Sequence, residues 1–191
     1  FMTMSTYKSL GGPAGGLIVS NDAEIAEKLD SIAFPGMTAN FDAAKSAALA
    51  VTMLDWRDYG QAYAAEMIAL SKALSAALDA AGMPVFSGKT GFTNSHQFAI
   101  MAAPFGGGQA ASKTLRQGGF LACGIGLPIP PVDGDTNGLR IGTPELVRWG
   151  MTADHAKHLA DLISQAIKGE PIQNQVSEWR RSFNTLKFMH S

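Results

Sequence analysis

The sequence has only one cysteine, Cys123, among its 191 residues. A single thiol cannot form a disulfide within the chain, and it cannot build a metal site from several cysteines. Cysteine usage this sparse fits a reducing compartment. We therefore expect a cytoplasmic protein without an intrachain disulfide framework.

An excess of charge of one sign is also lacking, because 15 Lys and Arg residues stand against 16 Asp and Glu residues. A chain this balanced creates no field that would attract nucleic acid or an anionic membrane. No apolar run is long enough to span a bilayer. We therefore expect neither a nucleic-acid partner nor a membrane partner. What is present is a hydrophobic fraction of 46%, which can form the core of one large domain or two modest ones.

The spacing of apolar residues predicts a mixture of helices and strands. A helix is predicted from Ala23 to about Ala33. Residues 42–81 contain no proline and only one glycine, Gly60, and predict one long helix or two helices that break near Gly60. Strands and helices then alternate, which indicates α+β or α/β layering, and we place a domain boundary between about residues 70 and 84. The later elements are predicted as strands at 85–86, 96–102, 120–125 and 139–142 and helices at 109–116, 152–168 and 175–187.

The first sixteen residues combine a strand-like run, one lysine and four glycines. Lys8 follows the run, and the glycines lie in the segment Gly11–Gly16, with Pro13 among them. Glycine permits positive φ and lets a ligand approach the backbone closely, while proline fixes one φ in the turn. A lysine held there can be a nucleophile, since a neutral amine condenses with carbonyl groups. It can equally be a strand-end lysine that points into water beside an ordinary hairpin.

The chain begins with Phe1, already inside the strand-like run that leads to Lys8. A domain rarely opens with its most site-like segment. We therefore expect this sequence to be the C-terminal part of a longer polypeptide.

A second candidate residue, Arg140, lies inside the short segment Leu139–Gly142, which otherwise has the composition of a buried strand. Arginine cannot lose its charge, so a buried arginine must be paired, and a carboxylate suits its planar fork best. We therefore expect Arg140 to be buried and paired. The carboxylate belongs either to an Asp or Glu of this protein or to an amino-acid substrate.

Other motifs are interpreted structurally. His155 and His158 lie three residues apart on a predicted helix, a spacing that metals use, but the neighbouring acids favour a solvated face. Residues 87–90 resemble the end of a Walker A loop but lack its first glycine. Cys123 is predicted as a small core residue, and the aromatic segment 179–188 as a docking helix. The sequence thus predicts no metal site.

Four segments, taken in order, resemble the C-terminal half of a serine hydroxymethyltransferase. This family uses pyridoxal 5'-phosphate (PLP) and belongs to the fold-type I aminotransferase superfamily, and the resemblance covers nearly the whole chain. The segments are Thr6-Tyr7-Lys8-Ser9-Leu10-Gly11-Gly12-Pro13-Ala14-Gly15-Gly16, Phe34-Pro35-Gly36, Ser87-Gly88 with Asn94-Ser95-His96, and Leu139-Arg140-Ile141-Gly142-Thr143-Pro144 with Gly150.

The resemblance implies the fold and the domains. It implies an α/β protein, the C-terminal half of a fold-type I PLP-dependent transferase. Residues 1–75 would be the C-terminal part of the PLP-binding large α/β domain, and residues 76–191 an α+β C-terminal small domain. The family's aspartate for the pyridine nitrogen, its stacking histidine and its main phosphate-binding turn would lie upstream of Phe1. The N-terminal half of the same polypeptide is therefore an expected partner.

The resemblance also implies roles for individual residues. Lys8 matches the lysine that holds PLP covalently, and Arg140 matches the arginine that binds the α-carboxylate of a small amino-acid substrate. Thr6 and Tyr7 lie beside the cofactor. The loop Gly36–Asn40 corresponds to one that reaches the cofactor phosphate of the neighbouring subunit, so a homodimer with shared active sites is implied. The cofactor-binding residues expected in this loop are Thr38, Ala39 and Asn40.

Departures from the family pattern concern the surroundings of the cofactor and of folate. Tyr7 replaces the usual histidine, Ala14 replaces an arginine, and residues 37–40 replace a glycine-rich phosphate loop. No amide side chain stands near Gly126, where the family has an asparagine that touches folate. These changes weaken the case for tetrahydrofolate more than the case for PLP.

The function expected is cleavage or formation of the Cα–Cβ bond of β-hydroxy-α-amino acids, as in the interconversion of serine and glycine. One alternative is a folate-independent aldolase for threonine-like or α-methylserine-like substrates. Another is a catalytically silent fragment or assembly module in which Lys8 is idle.

Overall fold

The computed structural model describes residues 1–40, 42–87 and 91–190. Gly88, from the third segment of the resemblance, lies outside these ranges together with Lys89 and Thr90. The chain divides into two compact units, Phe1–Gly60 together with Met189–Ser191, and Gln61–Phe188. The assignment of residues 1–75 and 76–191 to a large and a small domain stays a prediction.

The first unit contains a two-stranded antiparallel sheet and two helices. Strand β1 (Met2–Ser5) pairs with β2 (Gly16–Val19), and Ser5 lies opposite Gly16. Helix α1 (Ala23–Ser31) begins after Asp22, whose side chain accepts a hydrogen bond from the Ile25 N–H at 3.1 Å. A π-helical turn, Ile32–Met37, follows it. The second helix, α2 (Ala43–Ala80), contributes residues to both units.

Helix α2 does not break at Gly60, so the prediction of one long helix is confirmed. From residue 61 onward it is amphipathic and buries one stripe of side chains, because every third or fourth residue returns to the same face. The buried members of the stripe are Tyr63, Met67, Leu70, Leu74 and Leu78.

The second unit is built on a three-stranded antiparallel sheet in the order β3-β5-β4, which comprises β3 (Gln97–Met101), β4 (Cys123–Ile125) and β5 (Gly138–Gly142). Leu139 and Ile141 of the central strand point to one side and are buried. The helices of this unit are α3 (Gly108–Gln117), α4 (Pro144–Arg148), α5 (Ala156–Ile167) and α6 (Gln173–Arg181).

Several predicted boundaries were wrong. The strand expected at 85–86 is reduced to one bridge, between Val85 and Ile100, and the strand expected at 120–125 begins only at Cys123. The last helix ends at Arg181 rather than near Lys187. Helix α4 was missed because it has only five residues, too few to show a helical period. Within the described ranges, no helix combines the length and apolar character that crossing a bilayer requires.

Candidate active site

Lys8 lies in the connection between β1 and β2, and its side chain is exposed. Backbone hydrogen bonds close this connection into a compact turn. The Gly11 N–H donates to the Lys8 carbonyl at 2.8 Å, and the Gly12 N–H donates to the Thr6 carbonyl at 2.7 Å. The Thr6 N–H in turn donates to the Gly15 carbonyl at 3.1 Å. The amine therefore stands on a backbone whose conformation is fixed by its own hydrogen bonds.

Thr6 is the buried centre of this turn, with only 2% of its surface exposed. Its hydroxyl donates to the Pro13 carbonyl at 2.5 Å. A Cβ on Gly12 would come within 3.0 Å of the Thr6 carbonyl, so a larger residue there would push the turn apart. The contacts of Thr6 shape the turn, and its placement beside a cofactor stays a prediction. Tyr7, by contrast, is 57% exposed.

The predicted phosphate loop is exposed throughout. Thr38 uses both its hydroxyl and its N–H to bind the Ala33 carbonyl, at 2.7 and 2.9 Å. Ala39 and Asn40 are exposed, and Met37 is 82% exposed. The side chain of Thr38 is thus engaged locally, and the role of Thr38, Ala39 and Asn40 at a neighbouring subunit stays a prediction.

Arg140 lies at the centre of β5, opposite Ala99 on one neighbouring strand and Cys123 on the other. Its side chain is exposed, and it makes no hydrogen bond or ion pair with any residue that the structure describes. The prediction that Arg140 is buried was wrong, and of its two predicted partners, an acidic residue of this protein finds no support among the described residues, whereas a substrate carboxylate stays a prediction. The physical reason is the alternation of the strand, which turns its buried neighbours inward and Arg140 to the other face. Its fork is left open for a carboxylate from outside the described residues.

The structure brings Thr6, Tyr7 and Lys8 into one turn of the first unit, and it places Arg140 in the second unit. Cys123 lies beside Arg140 on the same sheet face and is only half-buried, so the prediction of a core cysteine was wrong.

Sequence reasoning missed Asn137, which organises the loop that precedes β5. The residue is 8% exposed. Its Nδ2 donates to the carbonyls of Leu127, Ile129 and Pro130 at 3.0, 2.9 and 3.2 Å, and its Oδ1 accepts from the Leu127 N–H at 2.7 Å. The loop's Pro, Gly and Asp content predicted irregular structure, but no local pattern shows which side chain fastens it.

Asp135, in the same loop, caps helix α3 from a distance in sequence. Its two carboxylate oxygens accept from the N–H groups of Gln109 and Ala110, each at 3.0 Å. Hydrogen bonds to the charged form, the largest from the Gln109 N–H, hold the pKa of the Asp135 carboxyl below its usual value. Asp135 thus links the loop before β5 to the start of α3.

Of the two histidines predicted to lie on a solvated face, His158 is exposed and His155 is half-buried, and the rings of both lie beside the ring of Trp179 on the last helix. The His158 ring lies 4.7 Å from the Trp179 ring, and the Nδ1 of His155 accepts from the Thr152 N–H at 3.0 Å. The docking role predicted for the aromatic tail is therefore confirmed for Trp179. In the described ranges, no three His, Cys, Asp or Glu side chains come together as metal ligands would.

Comparisons with known proteins bear on this site. The family model for serine hydroxymethyltransferase matches residues 1–163. A curated alpha-methylserine aldolase from Ralstonia sp. is 58% identical over 192 residues, which cover 98% of this chain and 44% of the relative. A curated serine hydroxymethyltransferase from Methanopyrus kandleri is 35% identical over 193 residues, covering 98% of this chain and 45% of the relative. The chain therefore spans less than half the length of these curated relatives.

Among solved structures, the crystal structure of L-threonine transaldolase from Pseudomonas fluorescens in the internal aldimine state matches with a TM-score of 0.81. The match has 23% sequence identity and covers 98% of this chain and 44% of that chain. A likeness at this identity shows the fold, and it agrees with the mixed helix and strand architecture described above.

Proposed function

Because the chain belongs to the serine hydroxymethyltransferase family, we propose that it is the C-terminal part of a PLP-dependent enzyme that cleaves or forms the Cα–Cβ bond of β-hydroxy-α-amino acids. The observation that carries the proposal is the exposed amine of Lys8 on a turn closed by its own backbone hydrogen bonds. An amine on a rigid support is what covalent attachment of an aldehyde cofactor requires.

The residues present fit PLP. Lys8 offers an accessible primary amine, and Arg140 offers a guanidinium with no partner among the described residues. The glycine-rich connection that carries Lys8 leaves open space beyond the lysine: Gly15 and Gly16 are exposed, and a Cβ on Gly16 would come no closer to another residue than 3.8 Å. When bound, PLP supplies an electron sink for the charge that develops at Cα.

In the proposed reaction each residue has one task. Lys8 holds the cofactor at a fixed point. Arg140 binds the substrate α-carboxylate through its planar fork, which orients the amino acid so that the bond to be broken is held in place. Orientation of this kind is worth several kcal/mol in general, on the order of 7–11 kcal/mol at its largest.

The relatives favour one substrate class within this proposal. Those named alpha-methylserine aldolase are 57–58% identical to this chain, whereas those named serine hydroxymethyltransferase are 32–35% identical. The sequence points the same way, because residues 125 and 126 are Ile and Gly at the position where the resemblance places a folate-contacting asparagine. We therefore favour a folate-independent aldolase that acts on α-methylserine-like substrates, with hydroxymethyl transfer between serine and glycine as the second candidate.

The partners proposed are the N-terminal part of the same polypeptide and a second identical subunit. Support comes from the large apolar side chains that the first unit leaves exposed, since exposed apolar patches mark interaction surfaces. Its most exposed large apolar side chains include Phe1 at 83%, Met37 at 82%, Met2 at 57%, Phe34 at 56%, Val51 at 54% and Ile18 at 50%. We propose that the N-terminal part covers this surface, that the loop around Met37 reaches the second subunit, and that the enzyme acts in the cytoplasm.

The test is a product assay on the full-length enzyme. Cleavage of α-methylserine releases alanine and formaldehyde, and cleavage of serine releases glycine and formaldehyde. We expect formaldehyde from α-methylserine without tetrahydrofolate, and no release from Lys8→Ala. Lys28→Ala, which removes an exposed lysine of α1, should behave like the wild type. Glycine formed from serine only when tetrahydrofolate is present, with the one-carbon unit captured by the folate and no free formaldehyde, would select hydroxymethyl transfer. No amino-acid product from either substrate would contradict the proposal.

A further inference from the structure

One face of helix α2 packs against the turn that carries Lys8, within the first unit. Its residues Lys45, Leu49, Thr52 and Trp56 are spaced by four, three and four positions, so they share that face. A Cβ on Gly12 would lie 3.4 Å from both Leu49 Cδ1 and Thr52 Oγ1. Helix and turn are thus in close contact at Gly12, which has no side chain to hold them apart.

Trp56 adds a directed bond to this contact. Its Nε1–H donates to the Leu10 carbonyl at 2.7 Å, across 46 residues of sequence. The Leu10 carbonyl and the Gly11 N–H belong to the same planar peptide group. That Gly11 N–H donates to the Lys8 carbonyl at 2.8 Å. A continuous chain of hydrogen bonds therefore runs from the indole, through one rigid peptide plane, to the backbone of Lys8.

Gly60 explains how the indole fits beside the helix. A Cβ at Gly60 would lie 2.7 Å from Trp56 Cε3, closer than real Cβ contacts occur. Glycine is among the least favourable residues for the interior of a helix, yet Gly60 lies inside the unbroken α2. The ring of Trp56, one helical turn earlier, occupies the space that any larger residue at position 60 would need.

We infer that Trp56, whose ring packs against Gly60, is a positioning residue that sets the orientation of the Lys8 turn for attachment of the cofactor. The inference rests on the proposed function, in which Lys8 carries PLP. Fixing both ends of the peptide between Leu10 and Gly11 stops it from rotating, and this rotation would otherwise move the backbone of Lys8. Hydrogen bonds in such a chain also polarise one another, so loss of the first bond weakens the second.

The test uses the full-length enzyme and two independent readouts. Trp56→Phe keeps an aromatic ring and removes the N–H donor, while Gly60→Ala displaces the ring. Trp179→Phe is the matched control, since it removes an indole from the second unit, where no residue of the described ranges accepts from its N–H. The first readout is hydrogen–deuterium exchange of the backbone segment that contains the Gly11 N–H. The second is the rate at which PLP becomes covalently attached to the cofactor-free enzyme, followed by absorbance.

We expect Trp56→Phe and Gly60→Ala to speed exchange at Gly11 by about fivefold, the effect of losing one ordinary hydrogen bond. We also expect both variants to slow PLP attachment by a similar factor while the KM for the amino acid stays unchanged. The control should alter neither readout. Faster exchange with unchanged attachment would overturn the positioning role and leave the proposed function standing. Unchanged exchange would overturn the hydrogen-bond chain itself, and failure of the wild type to take up PLP would reject both proposals.

Discussion

Asn137 offers the sharpest test of how the loop before Arg140 is held. The buried amide serves four backbone groups, three carbonyls through Nδ2 and one N–H through Oδ1. An amide nitrogen has two hydrogens, so the three carbonyls share two full hydrogen bonds. With the bond to Oδ1, Asn137→Ala therefore removes three bonds, each worth roughly 1 kcal/mol net. We expect a loss of about 3 kcal/mol.

A loss of that size lowers the melting temperature by roughly 10 °C in a domain of ordinary size. The assay is thermal unfolding of the full-length protein, followed by circular dichroism and repeated in urea, where the midpoint should fall. Asn174→Ala is the control, because Asn174 is exposed and makes no hydrogen bond to the described residues. A loss below about 1 kcal/mol for Asn137→Ala would refute the reasoning, since it would mean that solvent replaces the amide without cost.

The isosteric change Asn137→Asp tests the hydrogen bonds of the amide separately from the size of the side chain. It retains the size of the side chain and places a second carboxylate oxygen where Nδ2 now faces three carbonyl oxygens. Buried oxygens that face one another without a proton repel and remain unsatisfied. We therefore expect Asn137→Asp to be at least as destabilising as Asn137→Ala at pH 7. Wild-type stability for this variant would show that the donor role assigned to the amide is wrong.

Three further predictions concern the second unit. Gly108→Ala should lower the free energy of unfolding by about 3 kcal/mol in a denaturant titration, because the added Cβ would collide with the backbone of β5. The control is Gly126→Ala, whose Cβ would enter open space and should cost under about 1 kcal/mol. Equal losses for the two variants would refute this reasoning. The pKa of the Asp135 carboxyl is lowered in the folded state, so the carboxylate stabilises the fold above the unfolded pKa of ~4 and loses this effect as the pH falls through the lower folded pKa. The drop in melting temperature caused by Asp135→Ala should therefore shrink in acid, whereas Asp133→Ala should show little drop at any pH. Arg140→Ala should raise the amino-acid KM by at least tenfold and leave the PLP dissociation constant within about twofold, and equal losses of both would contradict the carboxylate role.

The sequence predicted those features that depend on local chemistry. The family and fold type were confirmed, and the glycines around Lys8 correctly predicted a turn between two extended segments. The absence of proline from residues 42–81 permitted the long helix. Arg140 was correctly placed in a strand, but its burial was misjudged because composition alone does not say which face of a strand is covered.

Features that depend on contacts distant in sequence could not be predicted. The Trp56 bond to Leu10 spans 46 residues, and without it Gly60 has only the properties of a helix breaker. Asp135 caps a helix that begins 27 positions earlier, and Asn137 binds carbonyls whose positions follow from the fold of the loop. The exposed surface of the first unit likewise becomes evident only in the folded structure, because exposure depends on which apolar residues pack together.

The central claim is that the Lys8 amine carries PLP, and one measurement tests it most directly. Full-length enzyme purified with its cofactor is reduced with borohydride, digested and mapped by mass spectrometry. The account predicts one pyridoxyl group, attached to the peptide that contains Lys8 and absent from Lys8→Ala. A pyridoxyl group on a different lysine, or none on the wild type, would contradict it.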